Sequence, residues 1–156
     1  MKNKWFKVMG GTIFTVLLIA LLIKIPVIEV SYNDSRFFLK GDQFEIGWIH
    51  SVEKEPWYET YALKNDQLYL VETRFKTFGA GTPSSGKVLP STDGFVHMEL
   101  DQRMDEINFI VSKNVQTTLY TGNNIIPLYE IAPDHAAFVI KNKEIPLWQI
   151  IRGDYK

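Results

Sequence analysis

Positions 8–23 hold sixteen consecutive residues without a charge, set between Lys7 and Lys24 and including the block Val16-Leu-Leu-Ile-Ala-Leu-Leu-Ile23. With Trp5 and Phe6 the stretch approaches the ~20 residues needed to cross ~30 Å of hydrocarbon. Three lysines precede it and Lys24 alone follows at once, which predicts an N-terminus inside and a C-terminus outside. Lys7 and Lys24 can snorkel to opposite interfaces, and Trp5 suits the aromatic belt. A cleaved signal peptide requires small residues at its cleavage site, and Lys24-Ile-Pro-Val-Ile-Glu-Val30 offers no small-x-small pair. A buried core helix leaves the one-sided lysine flank without a reason. The expectation is an uncleaved anchor. Residues 1–26 then form a cytoplasmic stub and a single span, and residues 27–156 an extracytoplasmic domain at the cell membrane.

The lysines of the first segment mask the character of the rest. Taking the four in residues 1–24 from the 17 basic residues leaves 13 against 18 acidic ones, a balance of −5. A domain of that sign lacks the basic face that nucleic acid requires. No cysteine is present, which excludes disulfides, thiolate nucleophiles and cysteine-based zinc sites.

Beyond the anchor no 3.6-residue apolar period is sustained. Short runs rich in aromatic and β-branched residues alternate instead with turn signals, the pattern of strands. Strands are expected near 27–32, 36–40, 43–51, 57–63, 67–75, 95–100, 107–111, 117–120, 125–131 and 136–140. Gly41-Asp42 and Lys64-Asn65-Asp66 read as tight hairpin turns. Pro26 is expected to end the anchor helix. Residues 77–94 read as a long loop, 101–106 as a helical turn, and 146–151 as a short helix or last strand. Within 43–51 the period of two puts Phe44, Ile46, Trp48 and His50 on one face. The fold class is all-β, an antiparallel sandwich or barrel preceded by one N-terminal transmembrane helix.

His50-Ser-Val-Glu-Lys54, Glu59-Thr-Tyr61, Leu70-Val-Glu72-Thr-Arg-Phe75 and Phe78-Gly-Ala-Gly-Thr-Pro83 follow one another in that order. This succession, over about residues 41–95, resembles the bacterial family known as domain of unknown function 1850. The downstream half matches only in general character. The resemblance implies a small exported protein, often associated with tripartite ATP-independent periplasmic transporters of the TAXI type. It implies a transport accessory role and no established reaction.

Candidate chemistry centres on His50, Glu53, Glu59 and Glu72, which adjacent hairpins would bring together. Imidazole with carboxylates suits Zn²⁺, and hard oxygens suit Ca²⁺. The spacing matches neither a helical HExxH nor an acidic calcium loop. The plainer reading has His50 satisfying backbone groups at a strand end, and Glu59 or Glu72 pairing with Arg74 or Lys54. Neither a metal nor a cofactor is expected.

Gly79 and Gly81 permit positive φ or a close approach, Pro83 stiffens the loop exit, and Phe78 opens it. Residues 78–83 therefore read as a ligand-gripping or partner-docking loop, or as a solvated connector. Gly81-Thr-Pro-Ser-Ser-Gly86-Lys87 begins like a phosphate-binding loop, but Val88 stands where a magnesium-ligating hydroxyl is needed, and Pro90 opposes a helix. Ser51 lacks the flanking glycines of a nucleophile elbow. Trp57, after Pro56, is expected to be partly exposed.

The leading expectation is a non-enzymatic accessory protein that docks a permease or solute-binding protein. Its binding residues are His50, Ser51, Glu53, Trp57, Glu59, Glu72, Phe78, Gly79, Gly81 and Pro83. The alternative is a small-molecule or cation-binding β module of the cell envelope using the same residues. An envelope enzyme ranks third.

Overall fold

β1 (Lys24–Tyr32), β2 (Ser35–Leu39), β11 (Ala137–Pro146) and β8 (Glu106–Ile110) form a four-stranded sheet in the order β2-β1-β11-β8. The second sheet has seven strands in the order β10-β9-β3-β4-β5-β7-β6. These are β3 (Gln43–Ile49), β4 (Pro56–Lys64), β5 (Gln67–Phe75), β6 (Lys87–Leu89), β7 (Val96–Met104), β9 (Thr118–Thr121) and β10 (Asn124–Pro127). Every pairing is antiparallel. The computed structural model describes residues 23–146 together with Met9, Gly11, Thr12, Leu21, Trp148 and Gln149. The expected anchor falls largely outside the described residues, as do 147, 150 and 151 of the 146–151 segment. Among the described residues no helix is long and apolar enough to cross a membrane.

The two sheets face each other across one apolar core. Ile28, Val30, Phe138 and Ile140 come from the smaller sheet, and Phe44, Ile46, Tyr61, Leu68 and Leu119 from the larger. Phe138 is wholly buried, with Tyr32 stacked 4.6 Å to one side and Phe109 5.7 Å to the other. Truncating such a ring to alanine typically costs ~3–5 kcal/mol. The arrangement is a sandwich, which selects between the two all-β architectures expected from the sequence.

Two turns that look alike in sequence do different things. Lys64-Asn65-Asp66 makes the expected hairpin: Lys64 pairs with Gln67, and Asn65 and Asp66 both take positive φ, 49° and 59°. That is the geometry of a two-residue turn whose twist matches its strands. Gly41-Asp42 makes no hairpin, because β2 pairs with β1 while β3 belongs to the other sheet. It is a crossing between layers.

Other expectations are corrected as well. Pro26 lies inside β1 rather than ending a helix, at a point where β2 no longer pairs, so its missing N–H breaks no ladder there. Residues 101–104 continue β7, and only Asp105 separates it from β8, so the chain changes sheet at a one-residue corner. The run at 125–131 divides into β10 and a short helical turn, α1 (Leu128–Ile131). The long loop contains β6.

β5 carries a bulge that matters below. Tyr61 pairs with Leu70 but Thr60 pairs with Glu72, leaving Val71 without a partner on β4. A one-residue slip exchanges the two faces of a strand. Leu68 and Leu70 face inward before it, and Thr73 and Phe75 face inward after it, all four being buried.

Candidate functional site

The alternation of β4 builds the site. Trp57, Glu59, Tyr61 and Leu63 share its inner face, while Tyr58, Thr60 and Ala62 share the other. A carboxylate is thus set in an otherwise apolar row. In front of it the sheets part to leave a cavity of about 680 Å³, within the range typical of small-molecule sites. Trp48 and Trp57 wall it on the β3–β4 side, and Met104, Ile107 and Phe109 on the side of the sheet-changing corner. A larger depression of about 800 Å³ lies at the other end of β4, around Leu39, Asp42 and Leu63. It gathers neither an aromatic wall nor an inward carboxylate, so it is the weaker candidate.

Trp57 is held on every side. It is 5% exposed, stacked on Trp48 at 5.8 Å and on His50 at 5.3 Å, and tilted against Phe75 at 5.0 Å. Its indole N–H donates to the Thr73 hydroxyl at 2.8 Å. The expectation of partial exposure is therefore overturned. β4 already starts at Pro56, and partners distant in sequence close around the ring.

Glu59 accepts a hydrogen bond from the Tyr61 hydroxyl. Burial pushes its carboxyl above the ordinary range, and the bond from Tyr61 opposes that push. Burial, and then the neighbouring carboxylate, also drive the Tyr61 phenol far upward, so it keeps its proton and serves as a donor.

Two loops meet at the mouth of the cavity. After β3, the His50 N–H donates to the Glu55 carbonyl at 2.8 Å and the Lys54 N–H to the His50 carbonyl at 3.0 Å, closing a tight turn. His50 stands at the strand end as expected, with the Val52 N–H 3.4 Å from the Nδ1 that Glu53 also contacts. The Glu53 carboxylate contacts His50 Nδ1 and accepts from the Ala80 N–H at 3.1 Å. The bond from Ala80, with His50 adding to it, holds the Glu53 carboxyl below its ordinary value.

Gly79 leaves room for the Glu53 carboxylate in its present position and does not take positive φ. A Cβ built on it would sit 2.2 Å from Glu53 Oε1. Gly81, in contrast, does take positive φ, 81°. Phe78 is 63% exposed and meets Phe75 edge-on at 5.1 Å.

Of the residues singled out from sequence, His50, Ser51, Trp57, Glu59, Gly81 and Pro83 line the cavity. Glu53 and Gly79 lock its two rim loops together. Glu72 does not join them. The Val71 bulge turns it to the opposite face, where its carboxylate accepts from His97 Nδ1 at 2.7 Å, while Asp93 Oδ2 lies 3.0 Å from Nε2. The expected pairing of Arg74 with Glu59 or Glu72 is also corrected, for Arg74 pairs with Glu45 on that outer face and lies 4.8 Å from the Tyr58 ring centroid. Among the described residues, no group of three or more His, Asp or Glu is placed to hold a metal ion.

Sequence reasoning missed Tyr61 as a partner of Glu59, and Met104 and Phe109 as cavity wall. The first was available in the alternation Trp57-x-Glu59-x-Tyr61. The others depend on the corner at Asp105, which carries no glycine or proline to announce it.

No curated protein and no solved structure matches the chain. A family model described as Domain of unknown function (DUF1850) matches residues 44–128, more than half of its length. The match runs past the 41–95 stretch of the resemblance, through β9 and β10. All the cavity-lining residues fall inside it, and β1, β2 and β11 fall outside. The chain belongs to the DUF1850 family.

Proposed function

We propose that this chain is a small-molecule-binding β module, held at the extracytoplasmic face of the cell membrane by its N-terminal segment. One observation carries the reading: an aromatic-walled cavity of about 680 Å³ that opens between the sheets and contains an inward-facing carboxylate. Apolar walls supply affinity, and a few fixed polar groups supply orientation. The uncharged run between Lys7 and Lys24 supports the tether, and its lysine asymmetry supports the orientation. The setting we propose for it, beside a TAXI-type tripartite transporter, is the one that the sequence resemblance implies. There the module acts by binding rather than turnover, as an accessory to the permease or its solute-binding protein.

The test uses the full-length protein in detergent, screened against small polar and amphiphilic molecules by thermal unfolding. A ligand of the cavity raises Tm by mass action, by about 2.7 kcal/mol of stabilisation at a hundredfold excess over Kd. Ile110→Trp, at a rim position 63% exposed, narrows the mouth without touching the core and should remove that gain. A ligand whose effect survives Ile110→Trp binds elsewhere and refutes the cavity as its site. Cross-linking in the native membrane tests the transporter setting. Recovery of a permease or solute-binding protein supports it, and a clean preparation without either sinks it.

A further inference from the structure

The cavity has a charge without a counter-charge. Glu29, set in β1, is 2.5 Å from Lys143 Nζ, Glu45 in β3 is paired with Arg74, and Glu72 in β5 lies beside His97. Glu59 has no basic partner among the described residues. Its bond from Tyr61 falls on Oε2, and Oε1 has no hydrogen-bond partner among them. The lining of the cavity continues the pattern. It includes a second carboxylate, Glu106, at the rim, and no lysine or arginine. Its one histidine, His50, is already engaged by Glu53.

A carboxylate in a partly desolvated apolar row is unfavourable unless something neutralises it. The upward push on Glu59 is the sign of that cost, and a proton relieves it. A cationic ligand does so better, because it brings charge and hydrogen-bond donors together. Trp48, half-buried, lines the same space, and the negative face of an indole ring attracts a cation as well. A metal ion is the poorer fit, since hard cations need several oxygen ligands and the lining brings no such cluster together.

We infer that the ligand of this cavity is an organic ammonium with an apolar body, its cationic head paired with Glu59 beside the Tyr61 hydroxyl and its body against Trp48, Trp57 and Phe109. The inference rests on the proposed binding function and adds the class of ligand. It also gives the proton a role: the ammonium and the proton compete for one carboxylate.

Three probes of similar size separate the possibilities: phenethylamine, 2-phenylethanol and phenylacetate. Each is titrated into the full-length protein in detergent, read by tryptophan fluorescence and calorimetry. The amine should bind about tenfold or more tighter than the alcohol, as one added charge-assisted contact requires. Phenylacetate should bind weakest. Glu59→Gln keeps the shape and an acceptor for Tyr61, and should bring amine and alcohol within about threefold of each other. In the unaltered protein, amine affinity should fall as pH is lowered through the Glu59 titration while alcohol affinity stays flat, a measurement that needs no variant to fold.

Equal binding of amine and alcohol, or an amine preference that survives Glu59→Gln, overturns the ammonium assignment and leaves the binding function standing. Tightest binding of phenylacetate also overturns it, and marks protonated Glu59 as a donor to anions. Absence of binding by all three at millimolar concentration overturns the ammonium and removes the support for small-molecule binding with it.

Discussion

Thr73→Val is the cleanest perturbation of the cavity wall. Thr73 is wholly buried and its hydroxyl accepts the Trp57 indole N–H at 2.8 Å while donating to the Tyr58 carbonyl at 3.3 Å. Valine fills the same volume, so the change leaves no void. It leaves the N–H of a buried ring without an acceptor. An orphaned buried donor costs about 1–3 kcal/mol, which for a domain of this size lowers Tm by roughly 4–12 °C. Trp57→Phe removes the donor instead, and the Thr73 hydroxyl keeps its bond to Tyr58. The double variant then lacks both partners of the indole bond, so no indole N–H is orphaned, and the Tyr58 carbonyl loses the Thr73 hydroxyl as it does in Thr73→Val alone. It should be more stable than the sum of the single changes implies, by about 1 kcal/mol. Urea unfolding of the full-length protein, followed by circular dichroism, reads all four states. A neutral Thr73→Val, or a double variant additive within about 0.3 kcal/mol, would refute the claim that Thr73 fixes the indole.

Further outcomes are expected elsewhere. Folded Glu59 binds its proton more tightly than the unfolded chain does, so stability should fall as pH rises from about 4.5 through the raised value; Glu59→Gln should flatten that limb and be more stable at pH 7, as pH-stepped urea melts will show. His97 is raised too, first by its bond to Asp93, so its contribution is complete below about 6.5 and lost as pH climbs through the folded value. His97→Gln should erase that second decline, leaving the first. Asp66→Gly relieves positive φ at the second residue of the β4–β5 turn and should raise stability by a few tenths to about 1 kcal/mol in the same melts. Gly47→Ala should cost about 1–3 kcal/mol, because a Cβ there would lie 2.7 Å from two atoms of the Tyr58 ring that covers it.

The features legible in the sequence were those with local causes. Period-two alternation gave β3 and β4 their faces, and Asn65-Asp66 gave the hairpin its turn. What was not legible depends on partners far along the chain. Gly41-Asp42 carries a good turn signature, yet whether the next strand folds back or crosses is decided by β1, which pairs β2 on one side and β11 on the other. The Val71 bulge has no glycine to mark it, and it alone separates Glu72 from the other candidates. Trp57 was misread because its enclosure comes from His50, Trp48 and Phe75, none adjacent to it in the chain. Gly47 was overlooked for the same reason, its covering rings Tyr58 and Tyr120 coming from neighbouring strands.

The two faces of the larger sheet, set apart by that bulge, argue for where function lies. On the outer face charges are matched: Arg74 with Glu45, and His97 between Glu72 and Asp93. Such pairs on a half-exposed surface contribute little apiece and need no ligand to explain them. On the inner face, one strand away, the same sheet holds Glu59 unmatched, in a row whose other members are Trp57, Tyr61 and Leu63. A leucine or glutamine there should fold at least as well, since burial raises the cost of the charge and no cation among the described residues repays it. Under the proposed binding function, a carboxylate retained in the lining of an open cavity is a partner for the ligand. The bulge keeps Glu72 and Arg74 on the outer face, and Glu59 stands in the cavity lining without a basic partner among the described residues.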